Sequence, residues 1–406
     1  MLAQLSQDDE IRLVAVRGGI GAVPGVRSAG VHAGIKPRKR DLAVIAFDAP
    51  QVCASVITTN EIKAAPVLVS AEHIANDGVF RAIVCNSGCA NACTGERGDR
   101  DARATARQAG ALLKISASSV IVASTGVIGV PLPMDRVQRG LERAVEQLEN
   151  GIKSSNDAAE AIMTTDRVPK LAAYEFYIGE KKYVVGGIAK GSGMIAPNMA
   201  TMLAFVATNL PMSNAALQQE LREASDATFN MISVDGCMST NDAVYAFAPA
   251  GGKAPPAAFI RAFHQVCSDL ALAMVADGEG ATKTLTVHVN GAKDVAQARA
   301  IGRAVINSNL VRTALYGEDP NWGRIIAAAG SVNAGLDPET WWLQLNGKVW
   351  VERGAVEALS EAEAHHELEV TDIVVDLHLG IGEARATAWG CDLSKDYVRI
   401  NASYRT

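Results

Sequence analysis

The chain has 406 residues, 49% of them hydrophobic, with 44 acidic against 38 basic side chains and a formal net charge of −6. That is ample for one large or two medium domains, and it argues against a nucleic-acid surface: the one basic run, Lys36-Pro37-Arg38-Lys39-Arg40, is short and reads as a solvated loop. No apolar stretch reaches the roughly 18–20 uncharged residues of a membrane helix, and the acidic opening MLAQLSQDDEIRL is no secretory signal, so a soluble cytoplasmic protein is expected.

In chain order, residues 13–16, 42–47, 51–58, 82–85 and 120–123 read as short apolar strands. Residues 99–114 and 132–147 read as amphipathic helices, the second opened by Pro131 and Pro133. Residues 171–177 and 183–188 flank Gly179-Glu180-Lys181-Lys182 as a hairpin, and 201–208 is an apolar run with strand character. Helices are expected at 214–230, 256–276 and 294–309, and strands at 285–289, 342–345, 373–379 and 383–389. Aromatic residues make up only 5% while Gly numbers 36, so cores must come from Ala, Val, Ile and Leu at close backbone approach. Mixed order with hairpins points to an α/β fold of layered α+β type rather than a doubly wound sheet.

Several features invite a site and have a plainer reading. Seven cysteines, an odd number in a chain this long, argue against a disulfide framework. Cys85, Cys89 and Cys93 recur every four residues, but a zinc site needs a fourth ligand and no His is near; small buried thiols account for them, and no metal is expected. Gly18-Gly19-Ile20-Gly21 has Pro24 where a dinucleotide fingerprint would place its third Gly, and residues 278–284 lack the order of a phosphate loop. His365 and His366 lie in an acidic, Ala-rich stretch and read as helix surface.

The most informative stretch is residues 186–205, GGIAKGSGMIAPNMATMLAF. A loop rich in Gly, Ser, Pro and Asn leads into the apolar run, with Thr201 as its first residue. From spacing alone, Thr201 also reads as a β-branched packing residue. A hydroxyl at a strand edge can instead attack the carbonyl just before it. If the bond between Ala200 and Thr201 breaks that way, Thr201 acquires an α-amine, whose ordinary pKa of about 7.7–8.0 suits a general base for its own hydroxyl.

This segment resembles the self-cleavage segment of the ornithine acetyltransferases of arginine biosynthesis, also called glutamate N-acetyltransferases. The likeness continues in Ala29-Gly30-Val31-His32-Ala33-Gly34-Ile35-Lys36, Asn86-Ser87-Gly88-Cys89-Ala90-Asn91-Ala92-Cys93-Thr94-Gly95, Ala123-Ser124-Thr125-Gly126-Val127-Ile128-Gly129 and Met163-Thr164-Thr165-Asp166. Further on it takes in Ser233-Val234-Asp235-Gly236, Ser239-Thr240-Asn241-Asp242, Asp277-Gly278-Glu279-Gly280-Ala281-Thr282-Lys283, Gly317-Glu318-Asp319-Pro320-Asn321-Trp322-Gly323-Arg324 and the tail from Ile400 to Thr406. It spans nearly the whole chain.

The resemblance implies a layered, N-terminal-nucleophile-like α/β sandwich, cut between Ala200 and Thr201 into segments 1–200 and 201–406, with one sheet shared by both. It implies Thr201 as nucleophile, Thr125 and Gly126 as the oxyanion hole, and substrate contacts from Thr164, Lys190, Thr201, Glu279, Asn401 and Thr406. The expected reaction moves an acetyl group from N²-acetylornithine to glutamate with no cofactor; acetyl-CoA is a further possible co-substrate. Two copies of each segment are the expected assembly, with no nucleic-acid or membrane partner. The rival reading is a self-cleaving aminopeptidase or amidohydrolase of related architecture, which passes the acyl group to water. Without the resemblance, Lys190 and Glu279 would read as surface charges.

Overall fold

Two alternating faces on almost every central strand carry apolar side chains, and that pattern dictates layers. The computed structural model describes residues 12–76, 78–195, 202–252, 254–333, 335–353 and 356–403. Its larger sheet contains β1 (Leu13–Ala15), β2 (Val26–Val31), β3 (Leu42–Ile57), β4 (Phe80–Cys89), β5 (Val120–Val127), β6 (Lys170–Ile178), β7 (Lys181–Lys190) and β8 (Leu203–Thr208). After β9 (Ile232–Ser233), which joins the second sheet, β10 (Ala243–Pro249) completes it. The order is β1-β6-β7-β8-β10-β3-β4-β5, with β2 also paired to β3; β4–β5 and β8–β10 are parallel and the other pairs antiparallel. Strands from both sides of position 200 therefore share this sheet, and it is not doubly wound.

β3 is one bent strand where the sequence reads as two. Its first half pairs with β2 and β4, its second with β10, and the exposed Asp48-Ala49-Pro50 lies between them. Crossing from one layer to the other, it folds the sheet on itself. Ile45, Ile83, Ile121, Ile188, Phe205 and Tyr245 meet in the inner core between the layers. On one outer face, Val44, Val84 and Val122 pack under α1 (Ala65–Asn76), α2 (Gly95–Leu113) and α3 (Met134–Glu146). On the other, Ala204, Val206 and Val244 pack under α5 (Asn214–Ala227) and α6 (Ala257–Ala276), while α4 (Ile152–Ile162) closes the inner core with Ala158 and Ile162. The result is a helix–sheet–sheet–helix sandwich. By length and apolarity α6 could cross a bilayer, but it carries Arg261 and Asp269, and Phe259, Phe263, Val266 and Leu270 are buried in the core.

The second sheet follows α6 as β11 (Thr284–Ala292), β12 (Trp342–Leu345), β13 (Lys348–Glu352), β14 (Val356–Glu357), β15 (Asp372–His378) and β16 (Ala384–Cys391), in the order β14-β13-β12-β15-β11-β16-β9. One face is covered by α7 (Val295–Asn307), α8 (Asn309–Tyr316), α9 (Trp322–Gly330) and α10 (Glu361–Leu368). α11 (Lys395–Ser403), none of whose residues is buried, ends the described chain. His365 and His366 are exposed on α10, as expected. The three spaced cysteines do not share one environment: Cys85 and Cys89 are buried in different cores and Cys93 is exposed, so the reading of all three as buried thiols is corrected at Cys93.

Candidate functional site

The start of β8 lies between the last residue of β7 and the first of β10: Leu203 is opposite Lys190 on one side and Ala243 on the other. Across the inner core, Thr125 and Gly126 lie just before the end of β5 at Val127, at the same end of the sandwich. A cavity of about 130 Å³ opens there, and Thr125, Gly126, Thr164, Lys190, Glu279 and Asn401 all line it. Six residues scattered over 277 positions of sequence (125 to 401) thus meet in one cleft. Ala200, Thr201 and Thr406 lie outside the described residues.

Thr125 is buried, with its Oγ1 3.5 Å from Lys190 Nζ. Gly126 has φ +129°, a conformation that side chains rarely adopt, and a Cβ on it would sit 2.5 Å from the Gly88 carbonyl carbon. Only glycine lets β5 and β4 approach this closely. Asn86 and Ser124 brace the same turn, with Ser124 Oγ donating to Asn86 Oδ1 at 2.6 Å.

Lys190 is almost fully buried, and a network of opposite charges surrounds it. Asp166 accepts from Lys170 Nζ at 2.7 Å, Gly191 N at 2.7 Å and Thr164 N at 3.0 Å, and lies 4.0 Å from Lys190 Nζ. Lys170 Nζ also donates to Asp277 Oδ2 at 2.6 Å, and Arg167 Nε donates to Asp277 Oδ1 at 3.0 Å. Burial alone would push the Asp166 carboxyl up; Lys190 and then Lys170 outweigh it and hold it at about 2. Burial pulls the Lys190 ammonium below its ordinary range, with Asp166 the foremost group opposing.

Glu279 faces the cavity from the loop after α6. Its N–H donates to Ser192 O at 2.8 Å, and its Oε2 accepts from Asn401 Nδ2 at 2.7 Å, which ties α11 to the site. A Cβ on Gly193 would come 2.4 Å from the Glu279 carboxyl carbon, so the side chain takes its course over a bare backbone. Asp235 accepts from Met194 N, Ile195 N and Cys237 N at 2.6, 2.8 and 3.1 Å, and from Tyr397 Oη at 3.2 Å. Burial nonetheless raises its carboxyl.

Lys36 departs from the solvated-loop reading. It is half-buried, donates from Nζ to Met163 O at 2.9 Å, and burial pulls its ammonium to about 8, against the opposing charge of Asp41. Sequence reasoning assigned no role to Asp166, Asp235, Asn241, Asp242 or Asp277, although each lies in a motif quoted for the resemblance. Lys170 and Tyr397 carried no signal of their own.

The class this defines is a four-layer α/β protein with a polar cleft at one end of its sandwich, where buried cations and carboxylates alternate. A model of the ArgJ family matches residues 27–406. The arginine biosynthesis bifunctional protein ArgJ of Symbiobacterium thermophilum is 48% identical over 400 residues, covering 96% of this chain and 99% of that protein. Its counterpart in Bacillus cereus is 42% identical over 397 residues, covering 96% and 97%. The chain belongs to the ArgJ family. Among solved structures, ornithine acetyltransferase of Mycobacterium tuberculosis complexed with ornithine is similar at 40% identity and TM-score 0.43, over 46% of this chain and 98% of that one.

Proposed function

We propose that the chain is an acyltransferase of arginine biosynthesis that cleaves itself between Ala200 and Thr201 and then moves an acetyl group from N²-acetylornithine to glutamate. The observation that carries this reading is the convergence of Thr125, Gly126, Lys190 and Glu279 on one cleft, with Lys190 opposite Leu203, two residues after Thr201. In the first half-reaction the Thr201 amine accepts the proton of its own hydroxyl, and Oγ attacks the acetyl carbonyl carbon. The oxyanion is held by Thr125 and Gly126; the carbon–nitrogen bond breaks, and ornithine leaves with the proton on its amine. The acetyl group rests as an ester on Thr201 until the glutamate amine attacks it, giving N-acetylglutamate and the free hydroxyl. Lys190 suits a substrate carboxylate and Glu279 a substrate ammonium, with Thr164, Asn401 and Thr406 as neutral partners.

The reaction balances without a cofactor, and acetyl-CoA enters only as an alternative donor. Segments 1–200 and 201–406 stay together through the sheet that their strands share, two copies of each making the assembly, in the cytoplasm. Intact-mass measurement tests the scheme. Thr201→Ala stays whole and inactive, whereas Thr201→Ser keeps part of both activities because the hydroxyl survives. An uncleaved wild-type chain that still transfers acetyl groups would overturn it. Acetate release indifferent to glutamate would make the protein a hydrolase instead.

A further inference from the structure

Two adjacent residues, Asn241 and Asp242, hold both halves of the site. Asn241 is buried, and its side-chain amide is spent on main-chain carbonyls: Nδ2 donates to Ala90 O at 2.7 Å and to Ser124 O at 2.8 Å. Its Oδ1 accepts from Thr240 Oγ1 at 2.6 Å, and its own N–H donates to Ser239 Oγ at 3.1 Å. Ser124 O belongs to the peptide group whose N–H is that of Thr125. Asp242 is fully buried and accepts Met202 N–H on Oδ1 at 2.9 Å and Ser239 N–H on Oδ2 at 3.3 Å. Met202 N belongs to the peptide group that begins at the Thr201 carbonyl. The pair therefore grips the peptide just before the oxyanion-hole turn and the peptide just after the nucleophile.

The fold does not require this expense. The strand that follows, β10, is already fixed by seven register pairs to β3 and five to β8. Burial raises the Asp242 carboxyl well above its ordinary range despite the hydrogen bonds from Met202 and Ser239, and taking such a polar group out of water is an expense that the strand's apolar neighbours do not carry. The return lies in geometry: attack needs the reacting atoms about 3–3.5 Å apart, and a displacement of about 1 Å can cost roughly 100-fold in rate.

We propose that Asn241 and Asp242 are positioning residues that set the separation between Thr201 and the Thr125–Gly126 turn, for self-cleavage and for acetyl transfer alike. This rests on the roles given above to Thr201 and to that turn.

The test uses the full-length chain and three measurements on Asn241→Ala, Asp242→Ala and Asp242→Asn. These are the first-order conversion of whole chain to segments by intact mass, the single-turnover rate of acetylation of the 201–406 segment per acetylatable site, and KM for N²-acetylornithine. Asn241→Ala should slow cleavage and acetylation together, each by about 10–100-fold, with KM within about twofold because Lys190 and Glu279 are untouched. Asp242→Asn keeps an acceptor for Met202 N–H and should retain more of both rates than Asp242→Ala. Wild-type rates per site in the alanine variants would overturn the proposal, as would a loss seen only as fewer acetylatable sites, or a rise in KM alone. Should Asn241→Ala fail to fold, the near-isosteric Asn241→Asp decides, because it removes both donors to Ala90 O and Ser124 O, and wild-type rates there sink the idea. Activity surviving in Thr201→Ala would instead remove the reading beneath it.

Discussion

Asp166→Asn isolates the charge that keeps Lys190 usable. Two ammonium groups, Lys170 and Lys190, face two carboxylates, Asp166 and Asp277, and none of the four side chains is more than 4% exposed. Asp166 titrates at about 2 in the fold, against about 3.9 in an unfolded chain, a difference worth about 2–3 kcal/mol in favour of the folded carboxylate. Because its pKa is depressed, that contribution is complete above about pH 4, is lost as pH falls towards 2, and is fully present at neutrality. Removing one partner of a buried pair costs about 3–5 kcal/mol. With about 2.1 cal/mol/K of unfolding entropy per residue, each kcal/mol moves the Tm of a chain this long by about 1 °C. Scanning calorimetry at pH 7 should therefore show Asp166→Asn melting about 3–5 °C below wild type. Lys190 also loses the foremost group opposing its burial, so its ammonium should deprotonate at lower pH than in wild type. KM for both amino-acid substrates should then begin to rise at a lower pH in the variant than in wild type as pH is increased. A Tm within 1 °C of wild type together with an equally flat KM profile would refute this account of the network.

Three further substitutions test the shape of the cleft. Gly126→Ala forces a Cβ to within 2.5 Å of Gly88 in a backbone conformation hostile to side chains, so single-turnover acetylation should fall by about 100–1,000-fold, as for a lost oxyanion donor. Gly193→Ala pushes on the Glu279 carboxyl; losing a hydrogen bond to a charged group is worth about 1.5–3 kcal/mol, so KM for N²-acetylornithine should rise about 10–100-fold while kcat changes less. Lys36→Met frees the Met163 carbonyl that precedes Thr164 and should raise KM by several-fold, about 1 kcal/mol. Lys36→Arg, which keeps a donor and its charge, should restore much of it.

The layers were legible where burial on two faces leaves an uninterrupted apolar run. β8 reads as a strand because its alternate residues enter two different cores, Leu203 and Phe205 facing inward and Ala204 and Val206 outward. β10 sits in the same position and has a similar run, Ala243-Val244-Tyr245-Ala246-Phe247-Ala248, so its signal was present and passed over. β2 was hidden by Arg27, Ser28 and Gly30, which break a hydrophobic pattern although Ser28 is fully buried. α1, rich in Val, and α4, rich in Ser and Ala, lack strong helical periodicity and are helices because the sheet beneath them covers Val69 and Ala158. α11 buries none of its residues and has no stripe to find; polar contacts from Tyr397 and Asn401 tie it to the cleft.

The site divides along a different line. Residues whose chemistry is local, such as a threonine ahead of a strand or a glycine at a strand end, advertise themselves through the turn signals around them. Residues whose role is to balance a charge do not, because the partner can lie anywhere in the chain. Lys170 meets Asp277 across 107 positions, and Asn241 reaches Ser124 across 117. Neither spacing has a period, and each residue alone reads as a polar side chain facing water. Burial turns them into requirements, since an ammonium or carboxylate removed from water must find its counter-charge inside the fold. The sandwich supplies it by bringing the ends of β5, β7 and β8 together with the loop after α6. The cleft's Lys190 therefore depends on carboxylates, Asp166 above all, that do not line the cavity, and substitutions at those carboxylates should change how the site binds before they change what it does.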